Sequence, residues 1–450
     1  MSNKAPSISL PQGGGGQSGL GEKFSPDLFT GTGNFSVPIA LAPGRNGFQP
    51  ELTLGYSTGS GNSPFGLGWN LGIPGVMRKT SRGIPVYDDE QDVFILSGAE
   101  DLVKVKRTHL NGHQKTYYRP RTEGLYARIV HHKKDNGENY WEVKSKDGLT
   151  SLYGNPDEVN NYSCVIANPE NRKSIFAWRL YQTIDPFGNH IVYHYERDLV
   201  TTGVHVYDQL YLSHILYGDY TDEGMLKYMM RVQFVYANRP DPFSEYKQGF
   251  EVRTTRRCES IEIYTLPKTA DLPEGYNTGN SFYAPWASNR VKTKSYDFVY
   301  IDEVSNLAQP INKASMLHSV EVKGYDLNDA PQQEPMPPLT FRYSIFDPKK
   351  RDFFPVKGDL PSAGLGSSDI ELVDLTGNGL PDILEMNETI RWWRNLGNGV
   401  FDKPQFMHEA PAGLVLSDPD VQMLDANGDG RADLLVNKTG MSGYYSTRFG

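Results

Sequence analysis

Residues 373–384 and 424–435 repeat one another, and that repeat narrows the possible folds more than any other feature of the chain. Val373-Asp374-Leu-Thr376-Gly-Asn378-Gly-Leu380-Pro-Asp382-Ile-Leu384 aligns with Leu424-Asp425-Ala-Asn427-Gly-Asp429-Gly-Arg431-Ala-Asp433-Leu-Leu435. Between the copies lies Ile390-Arg-Trp392-Trp393, followed by a Gly-rich turn that closes on Phe401. Each copy reads as strand, Asp/Asn/Gly loop, strand. Such a unit cannot bury its apolar face alone and must stack on its neighbours, which predicts the blades of a β-propeller. Two copies cannot close a propeller. Residues 348–450 are therefore expected to be partial, with the chain a fragment or its partner blades elsewhere.

Upstream the pattern is strand after strand, from Phe24 to about Asp347. Leu339-Thr-Phe341-Arg-Tyr343-Ser-Ile345 alternates strictly, as do Arg231–Tyr236 and Tyr140–Val143. Lys146-Asp-Gly148, Asp185-Pro-Phe-Gly188-Asn189 and Thr221-Asp-Glu-Gly224 supply turns between runs. Helical candidates are few; Met225–Arg231 could form one or two turns. Residues 1–23 read as a flexible Gly-rich arm, with long loops over 269–287 and 326–338. The fold class is all-β, divided as 1–23, 24–347 and 348–450.

A net charge of −9 argues against a general nucleic-acid binder. The stretch Lys104 to Lys134 runs the other way, and is either a patch for an anionic partner or the solvated face of successive strands. Cys164 and Cys258 are too few for a disulfide framework or a zinc site, and two buried thiols are expected. The N-terminus has no apolar core of a signal peptide, and no run is long enough to span a membrane. If the protein acts outside the cell, it leaves without a standard signal.

The loop Asp425-x-Asn427-x-Asp429-x-Arg431-x-Asp433 places oxygens at alternate positions, with the Arg431 carbonyl at the seventh, as a Ca²⁺ site requires. Val436 stands where an EF-hand needs Glu, so a helix-free loop is the better match. Asp374, Thr376, Asn378 and Asp382 make a weaker copy. The alternative is that these side chains only cap sharp turns. His190 and His194 are four apart, but the alternation predicts a strand and a structural role. Gly14-x-Gly16-x-x-Gly19 lacks the strand and helix of a dinucleotide site. No nucleophile elbow is present, no acid–base pair can be nominated, and no enzyme is expected.

Phe29-Thr-Gly31-Thr-Gly33-Asn34-Phe35, Pro43-Gly-Arg45-Asn-Gly47, Phe65-Gly-Leu-Gly68-Trp69, Arg82-Gly-Ile-Pro-Val-Tyr87-Asp-Asp89 and Leu96-Ser-Gly-Ala-Glu100-Asp-Leu102 together resemble the SpvB-type region of Tc insecticidal toxin B components. Residues 367–443 resemble the FG-GAP/VCBS-like propeller region that follows it, and Asp185–Asn189 with Tyr193 and Tyr195 is similar to RHS repeats. The resemblance implies a β-sheet shell, completed with an RHS-type C component around a toxic effector, and a propeller that docks on a pentameric A component. The ADP-ribosyltransferase part of SpvB has no counterpart here, since no Glu-x-Glu occurs. The expectation is a non-catalytic subunit of a secreted toxin-delivery complex. Two rivals stay open: a Ca²⁺-dependent adhesion protein, and the N-terminal translocation module of an enzyme toxin.

Overall fold

The computed structural model describes residues 21–27, 32–97, 100–122, 126–157, 163–222, 224–266, 290–325, 336–344, 348–349, 352–387, 389–407, 411–428 and 431–447. The arm before residue 21, the predicted loop over 269–287, most of 326–338, Ile345 and Asp429 lie outside them. Helix is confined to single 3₁₀ turns, Arg45–Gly47 and Ile301–Glu303, among the described residues. The chain divides into two compact units, centred on residues 36–346 and 347–450.

The larger unit is organised by one sixteen-stranded antiparallel sheet. Its first part closes on itself. In order run Gly75–Arg78, Phe94–Leu96, Glu100–Leu110, His113–Pro120, Arg128–Lys134, Asn139–Lys144 and Thr150–Tyr153. Ile175–Ile184 pairs with both ends of that series: Ala177 faces Met77, and Leu180 faces Tyr153. Eight strands thus make a barrel without a free edge, the most direct way to remove exposed ladder groups. Alternation sends Val76, Phe94, Leu102, Tyr118, His131, Trp141 and Trp178 inward, all buried. Phe94 sits edge-on to Trp141 and Trp178 at 4.9 and 5.8 Å between centroids. Each buried Trp removes roughly 200 Å² from water, a gross gain of about 5 kcal/mol before entropy.

From Ile175–Ile184 the sheet continues through His190–Val200, Tyr207–Asp222, Met225–Glu245, Val252–Thr265, Val291–Tyr300, Leu317–Gly324 and Leu339–Thr340. The helical possibility at Met225–Arg231 gives way to the first third of a 21-residue strand. One face carries Ile215, Val232, Phe234, Ile261, Ile263 and Tyr296, all buried. The segment that follows strand Thr32–Ile39 is tied to it by Ala40 donating to the Tyr296 hydroxyl at 2.8 Å and by the Tyr217 hydroxyl donating to the Ala42 carbonyl at 3.0 Å. Across the other face, register aligns His194, His214, Gln233, Glu262, Ser295 and Lys323 in one polar row.

One alternating segment departs from expectation. Only Leu339–Thr340 of the run beginning at Leu339 is strand. Phe341 and Tyr343 turn instead to Trp69: Phe341 packs at 4.6 Å, and the Tyr343 hydroxyl accepts the indole N–H at 2.8 Å. Phe341 still donates its amide to the His318 carbonyl at 2.7 Å, so the pairing ends just beyond it.

The smaller unit holds two antiparallel sheets. The first runs Ile370–Val373, Asp382–Met386, Ile390–Trp393, Gln405–Phe406; the second runs Val421–Leu424, Asp433–Lys438, Met441–Tyr445. Met386, Leu414, Val421, Leu434 and Val436 form one shared core. Trp393 is buried, while Trp392 and Phe401 are half-buried against apolar neighbours.

Candidate functional site

The two acidic loops connect the first pair of strands in each small sheet. In the first, Asp374 staples the turn. Its Oδ1 accepts the amides of Gly377 and Asn378 at 2.8 and 3.1 Å, and its Oδ2 accepts that of Gly379 at 2.7 Å. Asn378 accepts from Leu380 at 2.8 Å. Gly377 and Gly379 take φ of +68° and +83°, which a side chain would strain. Asp382, fully buried, accepts from Leu375 at 3.2 Å and from Asn395 at 2.7 Å. Burial raises its pKa, and those amides oppose the rise. Thr376 Oγ1 is buried without a partner. Both carboxylates of the first loop are thus engaged by backbone amides.

The second loop is wired differently. Asp425 Oδ1 accepts from Gly428 at 2.7 Å, and Asp433 Oδ2 from Ala426 at 3.1 Å. Asp433 Oδ1, on a fully buried side chain, has no hydrogen-bond partner, whereas its counterpart on Asp382 receives Asn395. An unsatisfied buried carboxylate oxygen suits a hard cation, with Asp425, Asn427 and Asp433 as oxygen donors and Asp429 beyond the described residues. Among the described residues, no three His, Cys, Asp or Glu side chains already converge as a metal cluster. Arg431 reaches back to the first loop: a Cβ on Gly377 would lie 3.1 Å from its Nε. Beside that contact, Leu375, Thr376, Trp392, Phe406 and Met407 line a half-open groove of about 490 Å³.

In the larger unit, charged side chains act as struts that sequence reasoning did not pick out. Arg78, on the barrel wall, donates to Asp92 at 2.7 Å, Asp89 at 2.8 Å and the Ile175 carbonyl at 2.9 Å. Asp92 in turn accepts the amides of Val86 and Tyr87 at 3.0 and 2.8 Å, so one guanidinium pins the whole segment 86–92. Burial pushes the Asp89 carboxyl up, but His131, Lys133 and Arg78 more than offset this and hold it well below the usual range.

Arg239 is a second strut. It grips Asp241 through Nε and Nη2, both at 3.0 Å, and reaches the Ser63 carbonyl at 2.9 Å and Asn62 Oδ1 at 3.0 Å. It thereby fixes Phe65–Trp69 against Ser315, whose carbonyl accepts Leu67 N at 2.8 Å. Asp208, fully buried, binds Arg172, Arg197 and the Ala167 amide. The only sequence signal was indirect: Arg and Asp recurring within strands whose other inward positions are apolar.

His190 and His194 do lie on one strand. His190 meets Asp219 at 3.1 Å, and His194 stacks on His214 at 4.4 Å. Cys164 and Cys258 are both buried and form no disulfide. What the geometry offers is braced sheet, with its buried charges spent on holding loops.

Known proteins supply the context. The family model for the Salmonella virulence plasmid 65kDa B protein matches residues 28–234 and 198–266, together just over half of the chain. An FG-GAP-like repeat matches residues 374–436. The mono(ADP-ribosyl)transferase SpvB of Salmonella typhimurium is 27% identical over 312 residues, 57% of this chain and 50% of that protein. The chain therefore spans about half the length of the curated relatives it matches. Among solved structures, TcdB2-TccC3 is 25% identical, with 96% of this chain and 22% of that chain covered and a TM-score of 0.62. The Photorhabdus luminescens Tc holotoxin pore gives 26% identity, 98% and 22% coverage, and a TM-score of 0.62. The N-terminal domain of the effector SpvB from Salmonella typhimurium LT2 shares the fold at 22% identity, with 64% of this chain and 99% of that chain covered and a TM-score of 0.52.

Proposed function

The chain belongs to the SpvB family, and from that premise we propose that it is a non-catalytic, wall-forming part of a toxin-delivery assembly. The observation that carries this reading is the sixteen-stranded sheet with its closed eight-strand barrel, in a fold like that of TcdB2-TccC3 over nearly the whole chain. A wall works by geometry: alternate residues bury one face, and closure removes edges. In this reading the sheet meets an RHS-type C component, the blades belong to a surface that docks a pentameric A component, and the protein works outside the cell that makes it. The second acidic loop takes Ca²⁺ as a fold-supporting ion, which is also what a Ca²⁺-dependent adhesion protein would need.

A second reading draws on the relatives named as mono(ADP-ribosyl)transferases, half of whose length the chain matches. There the same fold would be the delivery module of an enzyme. Incubating the full-length polypeptide in which the chain occurs with labelled NAD⁺ and a eukaryotic cell extract separates them. No label should pass to protein; transfer dependent on the chain would contradict the non-catalytic reading.

A further inference from the structure

The basic stretch between Lys104 and Lys134 resolves into cations that are paired with carboxylates and cations that are not. Lys104 and Arg107 pair with Glu90, Lys133 with Asp89, Lys134 with Glu138, and Arg121 lies 3.8 Å from Asp101. Lys106, Lys115, Arg119 and Arg128 make no ion pair with any described residue. Register places the second set, together with Lys134, on one face. Lys106 stands opposite Tyr117, and Tyr117 opposite Val130; Lys115 stands opposite His132, and His132 opposite Tyr140. Arg119 lies two residues beyond Tyr117 and Arg128 two before Val130, so all four cations share the outer face, while Thr116, Tyr118, Ile129 and His131 are buried inside.

Strand spacing of about 4.8 Å and a same-face repeat of about 7 Å confine the four charges to an area of roughly 10 by 15 Å. The same register also brings Glu138, Glu142 and Asp101 to this face among the described residues; Glu138 pairs with Lys134, Asp101 with Lys79, and Glu142 lies 3.9 Å from Lys144. The histidines between them register the field: burial first, then His113, Lys115, Lys134 and Arg128, bring His132 down to about 4. In a chain of net charge −9, an unneutralised group of this kind stands out.

We propose that this outer face of strands Glu100–Leu110, His113–Pro120 and Arg128–Lys134 is a docking surface for a carboxylate-rich polypeptide. Charge complementarity sets the sign of the partner, and the aromatic groups decide its class. A single-stranded nucleic acid needs open ring faces on which bases stack. Here Tyr117 is attended by Lys106 at 4.6 Å and Arg128 at 5.6 Å, and Tyr140 is covered by His132, stacked at 4.6 Å. A membrane surface needs an apolar layer projecting beyond the cations, whereas Val103, opposite Arg119, and Leu110, opposite His113, are exposed singly and seven residues apart on this face. Flexible Asp and Glu side chains on an extended segment can meet cations spaced about 5–7 Å apart.

The test uses the full chain and a fluorescent polyglutamate peptide of about 20 residues, titrated at about 50 mM and about 300 mM salt, where screening differs strongly. Saturable binding is expected at low salt. It should weaken at least about tenfold at high salt and by a similar factor in the neutralised double variant Lys106→Gln/Arg119→Gln, whose fold is checked by its melting curve. The quadruple variant with Lys115→Gln and Arg128→Gln should abolish it, while Lys247→Gln, on a remote turn, should leave it unchanged. Absence of saturable binding, or binding indifferent to these four residues, overturns the proposal. So does a single-stranded RNA or an anionic vesicle that binds through them when polyglutamate does not.

Discussion

His131 lies flat on Trp141 inside the barrel, with ring centroids 4.2 Å apart and planes 3° from parallel. Its Nε2 donates to Asn139 Oδ1 at 2.7 Å, an oxygen that also accepts the Trp178 indole at 3.2 Å. Burial brings its pKa to about 3, His214 is likewise lowered to about 3, and His132 to about 4, in each case with burial as the leading cause.

Acid stability follows from these values. A histidine whose folded pKa lies below its unfolded value, about 6.5, contributes stability that is fully present above 6.5 and is lost as pH falls toward the folded value. The Asp89 pKa is lowered as well, so its contribution is present above the unfolded carboxylate value of about 3.9 and is lost only as pH falls below it. Between pH 6.5 and 4.5 the histidines therefore set the slope. Each such histidine can add up to about 1.4 kcal/mol per pH unit to that slope. Urea midpoints measured across this range should fall with acid, and His131→Phe should flatten the curve; a flat wild-type profile would refute the assignment.

Removing a strut should cost more than removing a surface charge. Arg239→Met leaves Asp241 facing Ser315 without its guanidinium, and a broken buried pair is worth about 3–5 kcal/mol. Denaturant titration should find that loss, with part of it recovered in Arg239→Met/Asp241→Leu. A change under about 1 kcal/mol would mean that the pair is not what holds Phe65–Trp69.

The glycines of that segment give a graded comparison. At Gly66, φ is +97° and a Cβ would stand 2.8 Å from the Ser315 carbonyl oxygen; at Gly47, φ is +75° with open space around it. Gly66→Ala should cost about 2–4 kcal/mol and Gly47→Ala about 1 kcal/mol. Equal losses would show that backbone strain alone is being measured.

Much of this was legible beforehand, and the gaps have physical causes. Alternation in Arg231–Tyr236 and the twin Asp/Gly loops announced strands and blades, because a period of two and a sharp turn are local properties. Barrel closure was not legible: the pairing of Leu180 with Tyr153 depends on register between distant segments. The struts at Arg78 and Arg239 were hidden for the same reason, since an inward Arg looks like a solvated one until its partners, Asp92 and Asp241, are placed beside it. The run from Leu339 is strand only over Leu339–Thr340 among the described residues, and the meeting of Phe341 and Tyr343 with the distant Trp69 was not legible locally.

The two acidic loops should respond differently to the same substitution. Asp374→Ala removes three amide contacts and should lower stability by about 1–2 kcal/mol whether or not Ca²⁺ is present. Asp433→Asn should have its main effect in Ca²⁺, by removing the stabilisation that the ion gives. Thermal melts in Ca²⁺ and in chelator check both; identical Ca²⁺ dependence in wild type and Asp433→Asn would remove the ion from the account.

The wall-forming role is tested most directly by the mass of the chain mixed with an RHS-type C component, measured by light scattering after size exclusion. A stable complex whose mass is the sum of the two chains is the expected result. Two separate peaks at their individual masses, at concentrations well above micromolar, would contradict it.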